Sequence, residues 1–344
     1  MPILPAIGWV ICALLAAIVI AHRLQVWISV DEGPVVATAY DVLPLALFAA
    51  SIIAIYALVA DHRPLAVAAA ILIVYHFVLI VPRMISDRIP RWARHAPHFR
   101  LAVANVFVDN LTPDAAASQL VGCGAEVIVI AEATPAFMEV FDAAGGHESH
   151  PHRVLDPNDT SDYAVAIVSR VPLEASSEMV EIGPLNLAVA NVDIGGVVTT
   201  IATLNPQATF DPDGYEIWKT QIEALKSFIP DVQGPLVIAG DLNTTRFRPE
   251  FQELLDTGLT DCIDSLGQAW KPSFSLRSVS PLGAFGLIAR LDHALANDRV
   301  RSLKVRNLKA RGSDHLPFVI TLAVRNGPSA TEPDVGRSGR HSVR

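Results

Sequence analysis

Three long stretches in the first 81 residues are apolar and almost free of charge, and no other feature limits the fold so strongly. Residues 3–21 and 42–60 contain no charged side chain, and residues 65–81 contain only His76 as an ionisable group. Each stretch has about the 20 residues that a helix needs to cross the hydrocarbon core of a bilayer. With 51% hydrophobic and 18% charged residues, the chain is also too apolar for a purely soluble protein. The sequence therefore predicts that residues 1–82 form three transmembrane helices, at about 3–21, 42–60 and 65–81.

A basic segment, residues 83–97, joins the third predicted span to the rest of the chain. Five arginines lie in or just after this segment, together with Trp92: Arg83, Arg88, Arg91, Arg94 and Arg100. They form either a collar against anionic lipid headgroups or a solvated linker that only sets the topology. Three spans place the N-terminus and the large C-terminal part on opposite sides of the membrane. Because the linker side carries more arginine than the connection at Arg63, the positive-inside rule favours a multi-pass cell-membrane protein with a cytoplasmic domain. An outside location is the alternative.

Five short apolar stretches after residue 98 have polar groups at or near one end. They are Leu101–Ala104 before Asn105, Val127–Ala131 before Glu132, Leu236–Ala239 before Gly240-Asp241-Leu242-Asn243, Leu291–Ala296 with Asp292 inside, and Phe318–Leu322 after Ser313-Asp314-His315. Such runs are typical of buried strands, and Gly312 with Ser313 fits a tight turn into the last of them. The pattern predicts one polar site on the rim of a sheet. Carboxylate oxygens in a chain with three cysteines favour a hard cation such as Mg²⁺.

These motifs, in this order, resemble the endonuclease/exonuclease/phosphatase superfamily over residues 98–324. The resemblance implies an α/β fold, a four-layer αββα sandwich, following the transmembrane segment. It also implies a Mg²⁺-dependent hydrolase of phosphate esters, with Mn²⁺ as the alternative metal. Together with the predicted spans, the resemblance implies a membrane-anchored phosphodiesterase or phosphatase held at the lipid bilayer.

The resemblance also implies roles for individual residues. Glu132 and Asn105 would be metal ligands, and Asp314 would complete the metal set or support it from behind. Asp241 would orient or deprotonate the attacking water, while Asn243 and His315 would bind the phosphate. Asp292 would hold the imidazole of His315 in the required tautomer.

One position departs from the family pattern. After the predicted strand at 197–204, where many members have a phosphate-binding histidine, this chain has Leu204-Asn205-Pro206-Gln207. Leu204 cannot donate a hydrogen bond, and Asn205 or Gln207 would have to replace the histidine without its positive charge. This departure keeps open an alternative function, a membrane-bound scaffold with the same fold and weak catalysis.

Charge narrows the choice of substrate. Residues 101–324 contain 15 Lys/Arg and 28 Asp/Glu, a formal charge of −13. Proteins bind duplex DNA through basic side chains that contact several phosphates, which an acidic domain lacks. The charge therefore favours a small or lipid phosphate ester as the substrate, and a nuclease is the alternative. Four arginines either form a local basic cluster near the site or are surface charges: Arg246, Arg248, Arg277 and Arg290. The tail, residues 325–344, has the composition of a disordered segment, and nothing in the sequence indicates the oligomeric state.

Overall fold

The structure is a computed structural model that describes residues 3–25, 33–155, 159–275 and 287–327. Arg277 and the predicted disordered tail from residue 328 onward lie outside these ranges.

The described residues form nine α-helices and fourteen β-strands. The helices are α1 (Ile3–Gln25), α2 (Gly33–Ala46), α3 (Phe48–Val59), α4 (Arg63–Ile80), α5 (Pro113–Val121), α6 (Pro135–Ala143), α7 (Gly146–Ser149), α8 (Pro212–Phe228) and α9 (Pro249–Asp256). The strands are β1 (His98–Asn105), β2 (Val127–Ala131), β3 (His152–Leu155), β4 (Val165–Ser169), β5 (Glu178–Ile182), β6 (Leu185–Asp193), β7 (Val198–Thr203), β8 (Leu236–Asp241), β9 (Thr260–Asp261), β10 (Phe274–Ser275), β11 (Leu287–Ala289), β12 (Asp292–Ala296), β13 (Val300–Asn307) and β14 (Phe318–Val324).

Helices α1 to α4 pack together around their own apolar cluster, which includes Leu15, Leu43, Leu65 and Leu72. Two helical segments, Ile3–Leu24 and Arg63–Met84, are long and apolar enough to cross a membrane. Helices α2 and α3 meet at a bend of 49° and would make a third span if they act as one. Pro44 lies in the last turn of α2, where it lacks the N–H that a continuous helix needs, which explains a bend at this point. The second predicted stretch, 42–60, thus begins inside one helix and continues through another.

The remainder of the chain is an α/β sandwich of two six-stranded sheets. Strand order is β13-β14-β1-β2-β4-β3 in the first sheet and β5-β6-β7-β8-β12-β9 in the second. Each sheet has one parallel pair at its centre, β1 with β2 and β7 with β8, while the other pairs are antiparallel. Polar residues that follow the central parallel strands therefore come out at one edge of each sheet.

Three apolar clusters hold these layers together. The inner faces of the two sheets bury residues such as Leu101, Ile167, Ile201 and Ile320 against each other. The outer face of the first sheet is covered by α5 and α6, and that of the second sheet by α8 and α9, through Trp218 among others. The helices thus form the outer layers and the sheets the inner ones.

Two stretches differ from the sequence-based expectation. Residues 144–162 have the polar sequence of an irregular, solvated loop, but they contain α7 and β3, the edge strand of the first sheet, and His150 between them is completely buried. Of the predicted arginine collar, Arg83 pairs with Asp264 and Arg100 with Glu126. The other three members, Arg88, Arg91 and Arg94, are exposed.

Candidate active site

The polar residues predicted from the strand ends meet at one edge of the sandwich because of the strand register. In the first sheet, Asn105 ends β1 beside Ala131 of the parallel strand β2, so Glu132 follows directly next to it. In the second sheet, Asp241 at the end of β8 faces Asp292 at the start of the antiparallel strand β12. Ser313 donates from its hydroxyl to the carbonyl oxygen of Asn105 at 2.8 Å, which brings the Ser313-Asp314-His315 turn to the same edge.

The Asn105 amide connects two carboxylates from different sheets. Its Nδ2 donates to Oε1 of Glu132 at 2.8 Å and to Oδ2 of Asp241 at 3.1 Å. Its Oδ1 accepts from the backbone N–H of Phe107 at 2.9 Å, and the N–H of Val108 donates to the other oxygen of Glu132 at 2.6 Å. Asn105 therefore holds the two carboxylates in place, an arrangement that differs from the predicted role of metal ligand because its oxygen is directed at the backbone.

His315 lies between the carboxylates of Asp292 and Asp241. Its Nδ1 is 2.8 Å from Oδ2 of Asp292, and its Nε2 is 3.5 Å from Oδ2 of Asp241. One ligand atom from each of these three residues lies within 4.8 Å of the others, and all three are buried. Because Asp292 accepts a hydrogen bond from Nδ1–H, the ring of His315 is oriented with Nε2 towards Asp241 and the open edge.

The electrostatics of this cluster are those of a crowded acidic site. Burial raises the pKa of Glu132 to about 7, against the opposing hydrogen bonds from Asn105 and Val108, and burial also raises the pKa of Asp241. Burial lowers the pKa of His315, but the charges of Asp292 and Asp241 outweigh it and raise that pKa to about 10. Burial opposes ionisation of Asp292, yet the charge and hydrogen bond of His315 hold its pKa below the usual value.

Backbone geometry at the site is specialised. Glu132 and Asn243 have φ values of 60° and 48°, in the left-handed region that side chains other than Gly and Asn seldom adopt. Gly240 is required by a close approach, because a Cβ there would lie 2.5 Å from the carbonyl oxygen of Leu204. This contact lets the ends of β7 and β8 converge, so that Nδ2 of Asn243 lies 3.5 Å from Oδ1 of Asn205.

Leu204 does not occupy the site. Its side chain is completely buried in the cluster between the second sheet and α8, with Tyr215 and Trp218. Alternation along the chain instead directs Asn205 to the site edge, where its Nδ2 donates to the carbonyl oxygen of Asp162 at 2.8 Å. Leu204 is therefore a core residue, and the amide of the neighbouring Asn205 lies at the site edge.

The geometry bears on two further expectations. Asp314 is half-buried and its charge helps raise the pKa of His315, but it is not part of the three-residue cluster. Four arginines were considered either as a basic cluster or as surface charges. Three of them are buried in the domain: Arg246, Arg248 and Arg290. Their guanidinium groups bind Asp264, Asp41 and the carbonyl oxygen of Lys271, respectively.

Sequence reasoning missed two residues that support His315 and Asp292. Oγ of Ser273 accepts from the backbone N–H of Asp292 at 3.2 Å, and the ring of Phe274 lies 5.0 Å from that of His315. Both belong to a segment with no apolar run or acidic motif, so only the long-range pairing of β10 could have placed them here.

A sequence model of the Endonuclease/Exonuclease/phosphatase family matches residues 102–315, and the chain belongs to this family, whose members are hydrolases of phosphate esters. The fold is similar to that of D. rerio TDP2 complexed with a single-strand DNA product (17% identity, TM-score 0.55, covering 66% of this chain and 99% of that one). It is also similar to sphingomyelinase C from Streptomyces griseocarneus (16%, 0.50, 65% and 99%). A third similar structure is an endonuclease/exonuclease/phosphatase from Beutenbergia cavernae DSM 12333 (16%, 0.51, 68% and 73%). A search of curated proteins found no match.

Proposed function

We propose that this protein is a membrane-anchored, divalent-metal-dependent hydrolase of phosphate esters, acting as a phosphodiesterase or phosphatase. The observation that carries the proposal is the position of His315 between Asp292 and Asp241, with Glu132 joined to the same cluster through Asn105. A buried imidazole flanked by carboxylates, at an edge formed by two sheets, has the groups needed to bind a phosphate and activate water.

The acids of the site fit a hard cation. Glu132 and Asp241 share one amide donor, and burial penalises the charge of both, so a cation between them would relieve the penalty. Glu132 and Asp241 would hold Mg²⁺, or Mn²⁺ as the alternative, with Asp314 supporting the site from the neighbouring turn. When bound, the cation supplies positive charge to the phosphoryl oxygens and lowers the pKa of bound water.

The remaining residues act on the proton and on the phosphate. Asp292 and Asp241 favour the cation of His315, in which both ring nitrogens carry a proton. Asp292 accepts from Nδ1–H, and Nε2–H would donate to a non-bridging phosphate oxygen. Asp241 would accept a hydrogen bond from the attacking water and take its proton as the new P–O bond forms and the P–O bond to the leaving oxygen breaks; the leaving oxygen takes a proton from solvent. The amide groups of Asn243 and Asn205 lie side by side, and each has one N–H on a backbone carbonyl oxygen, that of Pro206 or Asp162. The second N–H of each amide would bind the other phosphate oxygens, which for Asn243 replaces its long contact to Asn205.

We infer that the substrate is an amphiphilic phosphate ester. Within residues 98–324, seven large apolar side chains are exposed among those described, and five of them lie in the loops at the site edge: Val108, Leu111, Tyr163, Phe210 and Trp270. Apolar groups around a phosphate site suit a lipid headgroup better than a polyanion, and the formal charge of −13 over residues 101–324 argues the same way. Helix α2 lies beside β11, which pairs with β10 next to His315, so the site is close to the proposed membrane segment.

A nuclease is the second candidate, because the similar fold of D. rerio TDP2 was solved with a single-strand DNA product. A single strand needs fewer basic contacts than a duplex and can stack its bases on exposed aromatic side chains such as Tyr163 and Trp270. The scaffold alternative was suggested by Leu204. Leu204 is a core residue and the amide of the neighbouring Asn205 lies beside that of Asn243, which supports a hydrolase over a scaffold.

The test is hydrolysis by the full chain in detergent with Mg²⁺, offered phospholipids, soluble phosphodiesters, single-stranded DNA and plasmid DNA in parallel. We expect activity on phospholipid or soluble ester that requires the metal. Asp241→Asn, Glu132→Gln and His315→Ala should each lower kcat by roughly 10²–10⁴-fold. Glu139→Gln, at an exposed acid on α6, should leave kcat unchanged.

Two outcomes would contradict the proposal. Plasmid or single-strand cleavage that falls steeply with salt and is lost in His315→Ala would establish the nuclease instead. Wild-type turnover no faster than that of His315→Ala on every substrate would exclude a hydrolase.

A further inference from the structure

The loop at residues 244–248 directly continues the candidate catalytic segment Asp241–Asn243 and ends where α9 begins. Although loops usually run over the surface, four of its five residues are buried, namely Thr244, Thr245, Arg246 and Arg248. The helical bundle contacts Thr245, Phe247 and Arg248 of this loop, so residues far away in the sequence contribute to its surroundings.

Asp41 of α2 is the main contact from the bundle. Its Oδ1 accepts from the hydroxyl of Thr245 at 2.8 Å and from the backbone N–H of Thr245 at 3.2 Å. Nε of Arg248 lies 2.9 Å from both of its oxygens, and the Nη2 of Arg248 donates to it as well. One carboxylate of the membrane segment therefore binds both ends of the loop, and its partner Arg248 is only 2% exposed.

Arg248, which binds Asp41, is also connected to the loop that contains Asn205 and to the segment that contains Asn243. Its Nη2 donates to Oγ1 of Thr209 at 2.8 Å, in the loop that begins with Asn205. Its guanidinium lies 5.1 Å from the ring of Trp218, whose Nε1 donates at 3.0 Å to the carbonyl oxygen of Leu242, between Asp241 and Asn243. Asp41 thus fixes a side chain that contacts or supports both strand ends of the site.

Two other contacts hold the same loop from the bundle side. A ring nitrogen of His22 in α1 lies 2.9 Å from the carbonyl oxygen of Phe247. Arg83, just after α4, donates to Asp264 at 2.9 Å, and Asp264 also binds Arg246 at 2.7 Å. The loop is therefore held by contacts from α1 and α2, and through Asp264 by the segment just after α4.

We propose that Asp41 is a positioning residue for catalysis, through which the transmembrane bundle sets the geometry of the Asn205 and Asn243 loops. This inference rests on the proposed hydrolase function. The simpler interpretation is that Asp41 only attaches the bundle to the domain. The two interpretations predict different values of kcat for a variant that loses the charge of Asp41 while the bundle stays attached to the domain.

The test compares full-length Asp41→Asn with Asp61→Asn and Asp41→Glu. Asp61 pairs with Arg63 at the opposite end of the bundle, with both side chains more than four-fifths exposed, so it is a matched control. We expect Asp41→Asn to lower kcat by about 10-fold per folded molecule, because misplacing substrate-binding groups by even 1 Å can cost far more. Asp41→Glu should restore most of the loss, and Asp61→Asn should match the wild type.

A second readout does not depend on activity. Hydrogen–deuterium exchange of the same proteins should become faster in Asp41→Asn within residues 204–211 and 241–248, and stay unchanged in α5 and β2. If the wild type hydrolyses no ester while the exchange changes appear, the proposed function fails and the coupling stands. If exchange and kcat of the folded fraction both remain at wild-type values, or if the change covers the whole domain, Asp41 is only an attachment and the inference is overturned.

Discussion

Asn205 and Leu204 show how much the function of a residue depends on which face of the sheet it occupies. Adjacent residues after β7 point to opposite faces, so Leu204 enters the apolar layer under α8 and Asn205 reaches the site. The sequence alone predicted the polar character of the site but not this register, because a one-residue shift exchanges the two faces.

The two residues should therefore respond differently to truncation. We expect Leu204→Ala to lower the free energy of unfolding by about 2–5 kcal/mol, as for a fully buried leucine, with kcat of the folded fraction retained. Asn205→Ala should lower kcat with a smaller change in stability, because it removes an amide at the phosphate. Chemical denaturation and steady-state kinetics on both variants measure this, and a reversed pattern would return the site position to Leu204.

The other site residues were predictable for a physical reason. Asn105, Glu132 and Asp241 follow buried strands directly, and the carboxyl ends of parallel strands meet at one edge of a sheet. Their roles were less predictable. Asn105 became a donor to two carboxylates because Phe107 and Val108 turn back on the strand end, and short local motifs do not reveal such a turn.

At the scale of elements, apolar runs in the sequence predict most strands and helices. The prediction fails where a polar segment is buried and its side chains bind partners inside the domain. Residues 147–152 contain three histidines and appear solvated in sequence, yet His150 packs under the first sheet beside the ring of Phe141. A ring nitrogen lies 2.9 Å from the hydroxyl of Ser149, and the other lies 3.3 Å from the carbonyl oxygen of Ala125. Those partners satisfy the neutral ring without solvent.

His150 should make the domain sensitive to mild acid. Burial lowers its pKa to about 4, below the ordinary value of 6.5, so the unfolded chain takes up the proton first. The stabilising effect of the neutral ring is complete above pH 6.5 and is lost as pH falls towards 4, by up to about 1.4 kcal/mol per pH unit. Urea unfolding at several pH values should show a shallower loss in His150→Gln than in the wild type. The exposed His147→Gln is the control, and equal slopes in all three proteins would contradict the assignment.

At the scale of the whole molecule, the attachment of the bundle to the domain is the feature that sequence could not predict. Asp41 lies next to an apolar stretch and its partner Arg248 is 207 residues away, so no local pattern connects them. A paired carboxylate at this place also indicates that the part of α2 around Asp41 lies at the domain rather than in lipid, because an ionised group in a bilayer core is costly. We propose that α1, the bent pair α2–α3, and α4 are three spans.

This arrangement predicts opposite sides for the two ends of the bundle. His22, Asp41 and Arg83 contact the domain, whereas Asp61 with Arg63 is exposed at the far end. Because Arg23 and the exposed arginines of the linker lie on the domain side, the positive-inside rule favours a cytoplasmic domain, which we propose. A cysteine at Asp61 should then react with a membrane-impermeant maleimide in intact cells, while one at the exposed Ala175 should react only after permeabilisation. Background labelling should be low since the three native cysteines are buried. The reverse pattern would place the domain outside, and labelling of both positions in intact cells would contradict the three spans.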